Sequence, residues 1–337
     1  KKRMGKRIQY KEFLIKFLKI LKKKYNFDSF IGFNFEFKEE IGMAEACKEL
    51  KIPFLLLYKE SVLSETEIKY LIHFLKKINQ KFNGYKVAVY SNYAKKILTE
   101  SNYANKNDIK VIGCPRLNES FAFKKIVPKN QILYYAIENE RGLPNLFIKL
   151  YGNKIFEDLN VHKKYNSKFN WYFLHLKTLK ILKKFALNNP EISIIIKVKT
   201  GQSFKKNLYS NLPENIQVQY FGVGHQLLEQ SKIIIAWNTT AILEGIAANR
   251  FILLPYFHAK KNNLKKENEL FLQLKKENYG YTDRDFYKKL NLFIKKKYKK
   301  NKLINSQYSL KYHLGNSDQK ADYRLNKFIN KYIKYKI

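Results

Sequence analysis

Two doubly wound α/β domains are predicted for this chain, on three observations. Short apolar runs alternate with longer helical stretches, and the alternation occurs twice over. The runs are continuous rather than alternately apolar and polar, which suits strands buried on both faces of a parallel sheet. A length of 337 residues is enough for two domains of ordinary size. Together these give two Rossmann-type domains facing one another across a cleft.

The chain opens on a helix, Gln9 to Tyr25, in which Leu14, Phe17, Leu18 and Leu21 lie beside Lys11, Lys16, Lys19, Lys22 and Lys23. The pattern fits a core-facing helix, or a basic amphipathic face held at the inner membrane surface by anionic lipid. No strand precedes it, so the first domain is expected to be short at its amino end, either trimmed or part of a fragment. Strands follow at Asp28 to Phe33, Pro53 to Tyr58, Lys86 to Tyr90 and Lys110 to Gly113. Helices at Lys38 to Leu50, Glu65 to Asn79 and Tyr93 to Ser101 separate them. Val127 to Asn130, with Pro128, reads as a linker, which places the domains at 1–127 and 128–337.

The pattern restarts with a strand at Gln131 to Ile137, a long helix at Tyr172 to Asn188 and a strand at Ile192 to Lys197. A strand at Gln217 to Phe221 and a helix at Gln226 to Gln230 come next. Then Ile233 to Ala236 and Phe251 to Leu254, ended by Pro255, bracket a short helix at Ala241 to Asn249. Gly245 and the neighbouring alanines permit that helix a close approach to a sheet. Beyond residue 260 the apolar pattern weakens into Lys-rich helices, assigned to the second domain as its terminal part.

Composition excludes several classes. The chain is 45% hydrophobic with 25 Tyr and 25 Phe, ample for packed cores. No stretch approaches the roughly 20 apolar residues of a membrane-spanning helix, and no apolar segment after the basic start resembles a secretory signal. Cys47 and Cys114 give neither a disulfide framework nor metal-ligand spacing, and the six histidines are scattered, so no metal is expected. Asp283 and Asp285 form an Asp-x-Asp, but they follow a turn and precede a helix, which makes one of them a cap. A cytoplasmic, reduced protein is the expectation. The net charge of +38 points toward anionic partners. Only seven basic residues are Arg, however, and the lysines are spread along the whole chain rather than gathered into an RNA-module motif. A nucleic-acid binder is therefore the less favoured reading.

The junction from residue 233 to 257, "IIIAWNTTAILEGIAANRFILLPYF", is a β-α-β unit with Asn238, Thr239 and Thr240 at the carboxyl end of its first strand. In open α/β sheets ligands bind at that edge, against free N–H groups of the helix start. Hydroxyls together with such N–H groups suit a diphosphate. The alternative is a plain helix N-cap, Asn238 or Thr239, followed by a solvated Glu244.

Three stretches in order, "VIGCPRLN" (111–118), "NTTAILEGIAANRFILLPYF" (238–257) and "LGNSDQKADYR" (314–324), resemble bacterial surface-polysaccharide transferases of the GT-B fold. These are relatives of the CDP-glycerol glycerophosphotransferases. "IPFLLLYKES" (52–61) and "KFNGYKVAVYSNYAKKIL" (81–98) are similar to that family's first domain. The resemblance implies a nucleotide-activated donor on the second domain and a glycan or lipid-linked acceptor on the first, with no cofactor beyond the donor. On it, Thr239 and Thr240 match the pair at the donor phosphates and Glu244 the acid that accepts from the ribose diol. Lys197 matches a lysine at a strand end, while Lys199 and Thr200 stand where the family has His-Pro. His225, in a loop before the donor site, approaches base or phosphates or simply caps a helix. Arg116 contacts substrate or pairs with a nearby acid. For a catalytic base that deprotonates the acceptor, Glu60 is the first choice and Glu36 the second. Asp318, Lys320 and Arg324 match a terminal pattern and are expected to anchor the last helix. A nucleotide-sugar 2-epimerase is the rival on the same fold. It requires acid–base carboxylates and a His on both cleft walls, a set not found in the sequence.

Overall fold

The computed structural model describes residues 2–35, 38–59, 65–136, 171–198, 206–237, 239–257, 274, 276–296, 306–315 and 317–333. They fall into two compact units. The first comprises Lys1–Leu63, Ile68–Asn118 and Lys311–Ile337; the second is chiefly Glu119–Leu310.

The first unit runs α1 (Lys2–Tyr25), β1 (Phe30–Gly32), α2 (Lys38–Glu49), β2 (Phe54–Tyr58), α3 (Glu65–Lys77), β3 (Lys86–Val89), α4 (Asn92–Glu100) and β4 (Ile109–Val111). Its strands lie side by side in the order β1-β2-β3-β4, all parallel. Right-handed crossovers between strands taken in sequence put their helices on one face of the sheet. The other face needs a cover from elsewhere, and the chain end supplies it. Phe328 of the final helix, α11 (Ala321–Ile333), is buried with Leu55, Ala88 and Ile112, and Leu325, Ile329 and Tyr332 pack on the same cluster. Leu56, which alternates with Leu55, turns the other way, toward Ala44 of α2. The sequence boundary had left this last helix with the second domain. Its apolar stripe shows that a sheet is to be covered, but not which one.

Arg324 pins that return. Its Nε donates to the Ile112 carbonyl just beyond β4 at 2.7 Å, and its other nitrogens grip Asp318 at 2.8 and 2.9 Å. The guanidinium holds the Asp318 carboxyl at about 2, below its ordinary 3.8. A depressed carboxyl contributes stability above its unfolded value and loses it as the pH falls toward the folded value. Wild type should therefore lose melting temperature between about pH 4 and pH 2 more steeply than Asp318→Asn. The difference should be modest, since the carboxyl is half exposed. Identical acid profiles would show that the pair does not hold the helix.

The second unit is built from β5 (Gln131–Tyr135), α6 (Trp171–Asn188), β6 (Ser193–Lys197), β7 (Ile216–Gln219), α7 (Gly224–Gln230), β8 (Ile233–Ile235), α8 (Thr240–Ala247), β9 (Phe251–Pro255), β10 (Tyr279–Gly280) and α9 (Asp283–Lys295). Its sheet is parallel throughout, in the order β10-β9-β8-β5-β6-β7. The chain moves outward from β5 through β6 to β7, then returns past β5 to build β8, β9 and β10. That is the doubly wound order, and its switch point lies between β5 and β8. Isoleucines of β6 and β8 sit in register with β5, as at Tyr134 opposite Ile196 on one side and Ile235 on the other. All are buried, as strands covered on both faces require.

Two local readings change. β10 is a two-residue edge strand pairing Tyr279 with Leu254 and Gly280 with Pro255, too short to show as an apolar run. Gly280 admits α9, since a Cβ there would meet the Phe286 ring at 2.3 Å. The cap of α9 is Thr282, not either aspartate: its Oγ1 accepts from the Asp285 N–H at 3.1 Å, while Asp285 accepts from the Tyr281 N–H at 3.0 Å. Among the described residues no group of three or more metal-ligating side chains occurs, and no helix is long and apolar enough to cross a membrane.

Candidate functional site

The carboxyl ends of β6, β5 and β8 line one edge of the second sheet, and three of the singled-out residues lie along it. Lys197 is the last residue of β6, while Thr239 and Thr240 follow β8, with β5 between.

α8 is held tightly at this edge. A Cβ on Gly245 would lie 2.7 Å from Ile252 and 3.1 Å from Ile234, so only glycine lets the helix sit this close to β8 and β9. Thr239 is the N-cap, in extended backbone, with its Oγ1 3.5 Å from the Ala241 nitrogen. That is a long capping bond, and the Ile242 N–H also turns back, to the Thr239 carbonyl at 3.1 Å, while both threonines are half-buried at the helix start. Glu244, one turn on, is 7% exposed. The alternative of a solvated glutamate therefore fails.

Lys197 is buried as well. Its ammonium donates to the carbonyls of Val198 at 2.9 Å and Tyr220 at 3.5 Å, and burial lowers its pKa from the ordinary lysine value. Backbone thus fixes a cation at the end of β6. The start of α7 adds another piece. The Tyr135 hydroxyl, at the end of β5, donates to the Gly224 carbonyl at 2.9 Å, and a Cβ on Gly224 would come within 3.1 Å of the ring. His225, next along, places its Nε2 2.6 Å from a Glu119 carboxylate oxygen of α5 (Leu117–Ala122). Its imidazole is thus held by an acid of the same unit.

Arg116 lies in the first unit, exposed in the turn before α5. Glu36, Glu60, Lys199 and Asn238 lie outside the described residues. Sequence reasoning missed Tyr135 and Glu119, and also Arg250, whose fully buried guanidinium ties α7 to the segment before β5. It missed a core chain as well, in which His175 of α6 joins the hydroxyls of Tyr134 at 2.7 Å and Tyr209 at 3.2 Å. Burial lowers the His175 pKa to about 4, so the ring is neutral near pH 7, with one nitrogen donating and the other accepting. No sequence signal marks these partners, because each is met across strands rather than along the chain.

No protein-family model and no curated protein matches the chain. Solved structures do. A putative UDP-N-acetylglucosamine 2-epimerase from Listeria monocytogenes superposes with a TM-score of 0.56 at 10% identity, over 97% of this chain and 80% of that one. The S. aureus MnaA–UDP co-structure gives 0.51 at 12% identity, over 96% and 79%. Arabidopsis thaliana UGT89C1 complexed with UDP gives 0.50 at 10% identity, over 96% and 77%. The fold is GT-B. Within it, the edge just described is the carboxyl edge of the second Rossmann-type sheet, at its topological switch point.

Proposed function

We propose that this edge binds the phosphates and ribose of a nucleotide-activated donor. On this reading the protein is a transferase, of glycosyltransferase or glycerophosphotransferase type, acting on a cell-surface glycan or lipid-linked acceptor. One observation carries the reading: the helix start at Thr239–Thr240 and the buried carboxylate of Glu244 coincide with the switch point of a doubly wound sheet. The two hydroxyls and the positive end of the α8 dipole hold the phosphates. Glu244 accepts from the ribose diol, and Lys197 offsets the charge that develops on the departing nucleotide. Deprotonation of the acceptor falls to a carboxylate of the first unit, Glu60 or else Glu36.

Thermal shift with a panel of nucleotides tests this directly. A ligand that binds only the native state stabilises it by about 2.7 kcal/mol at a hundredfold excess over Kd. A pyrimidine nucleoside diphosphate or monophosphate should raise the melting temperature where inorganic phosphate does not. Thr240→Ala, and Glu244→Gln, which keeps the buried volume, should each weaken nucleotide binding by about 1–3 kcal/mol in calorimetry. Unchanged affinity in both would remove the site. RNA should bind only through diffuse lysines and be lost between roughly 50 and 200 mM salt. Tight RNA binding at the higher salt, with no nucleotide effect, would favour the nucleic-acid reading instead.

The epimerase reading has its own support, because the Listeria monocytogenes structure, superposed at a TM-score of 0.56, is named a putative UDP-N-acetylglucosamine 2-epimerase. Incubation with UDP-N-acetylglucosamine alone separates the two. An epimerised sugar nucleotide without acceptor means epimerase, whereas acceptor-dependent release of nucleotide means transferase.

A further inference from the structure

α1 carries two apolar faces, and the first unit uses one of them. Leu14 and Leu18 are buried against α2, where Gly42 brings the helices together: a Cβ there would meet Tyr10 at 3.0 Å and Leu14 at 3.3 Å. Lys11 is ion-paired with Glu49 of α2, which fixes the rotation of the helix about its axis. Phe13, Phe17 and Ile20, spaced by four and three residues, form a separate stripe roughly a quarter-turn away. They are 60%, 40% and 66% exposed, and the two phenyl rings stack at 6.1 Å. Three large apolar side chains aligned in water on one helix are an interaction surface rather than scattered exposure.

The charges around the stripe identify what it meets. Lys16 and Lys23 run along its outer border, Lys24 sits at its carboxyl end, and all three are exposed. Glu12 is the lone acid on α1, and the nearby acids of α2, Glu45 and Glu49, face Lys11 on the inner side. A second copy of the chain would set these lysines against lysines, in a protein whose net charge is already +38. An anionic lipid surface complements both features, since apolar side chains enter the headgroup boundary while lysines meet lipid phosphates.

We propose that α1 docks the first unit on an anionic membrane surface through Phe13, Phe17 and Ile20, with Lys16, Lys23 and Lys24 as its electrostatic rim. The proposal is independent of the reaction assigned above and would hold for an epimerase equally well. It predicts how the chain lies: α1 flat on the surface, with the α2 side of the helix turned away from it.

Sedimentation of the full chain with phosphatidylcholine vesicles, with and without phosphatidylglycerol, tests it. Binding to the anionic vesicles should be at least about tenfold stronger than to neutral ones and should fall as salt is raised. The double substitution Phe13→Ser with Ile20→Ser should reduce anionic binding by about tenfold or more, while Lys16→Gln with Lys23→Gln should flatten the salt dependence. Both pairs are exposed, so melting temperatures should match wild type; if the first pair alone alters melting, the lysine pair decides. Equal sedimentation with both vesicle types overturns the proposal. So does wild-type binding by the substituted proteins. Light scattering that shows a dimer dispersed by Phe13→Ser with Ile20→Ser would assign the stripe to self-association and overturn it too.

Discussion

Arg250→Met should lower stability by about 3–5 kcal/mol, read as a fall in the denaturant midpoint at an unchanged slope. The side chain is fully buried, and its guanidinium serves four backbone carbonyls. Nε donates to Leu228 at 3.2 Å, Nη1 to Ile126 at 3.1 Å, and Nη2 to Phe123 at 3.1 Å and Glu229 at 2.8 Å. Leu228 and Glu229 end α7, where a cation also meets the negative end of the helix dipole. Methionine fills most of the volume but donates nothing. The acceptors are then left without their donor, at about 1–3 kcal/mol each before relaxation or water entry softens the loss. Arg250→Lys should fall between, because an ammonium cannot span four acceptors arranged for a planar fork. The same change should weaken nucleotide binding, since α7 begins at Gly224, against the end of β5. A loss below about 1 kcal/mol would mean that α7 is held by its apolar packing alone.

Arg250 also shows where sequence reading stops. Between the end of α8 and the start of β9 it looks like any loop arginine, because all its partners are carbonyls more than twenty residues away in sequence. The strands of the same unit were legible, since β5, β6, β8 and β9 are buried on both faces and their apolar runs need no tertiary context. Their order was not. Alternation gives strands and helices but does not say that β8 returns to the far side of β5, which creates the switch point. The junction at Thr239–Thr240 could be found because a helix start after a buried strand is a local pattern. The burial of Glu244 and the fixing of Lys197 by the Val198 and Tyr220 carbonyls depend on packing that no spacing encodes. Likewise, Leu325, Phe328, Ile329 and Tyr332 read as a helix face, but only the exposed side of the β1–β4 sheet decides where that face goes.

Gly315→Ala should be the most damaging added methyl among the described glycines, costing about 4–5 kcal/mol or preventing accumulation of folded chain. Gly315 follows α10 (Ser306–Leu314) with φ at +84, ending the helix by a bond from its N–H to the Lys311 carbonyl at 3.1 Å. That backbone conformation alone costs a non-glycine residue about 1 kcal/mol. The rest is steric. A Cβ would stand 1.8 Å from the Tyr90 carbonyl oxygen and 3.1 Å from the Gly113 Cα. Neither can step aside, since the Tyr90 carbonyl accepts from the Gly113 N–H at 3.1 Å just past the ends of β3 and β4. The segment after Gly315 leads directly to Asp318 and Arg324, so moving it would loosen the helix that covers the first sheet. Gly222 supplies the control. Its φ is +87, yet a Cβ there would meet nothing within 4 Å, so Gly222→Ala should cost only the conformational term, about 1 kcal/mol. Urea denaturation of the two variants side by side isolates the steric part. Equal losses at the two glycines would show that the approach of Gly315 to Tyr90 carries no weight in the fold.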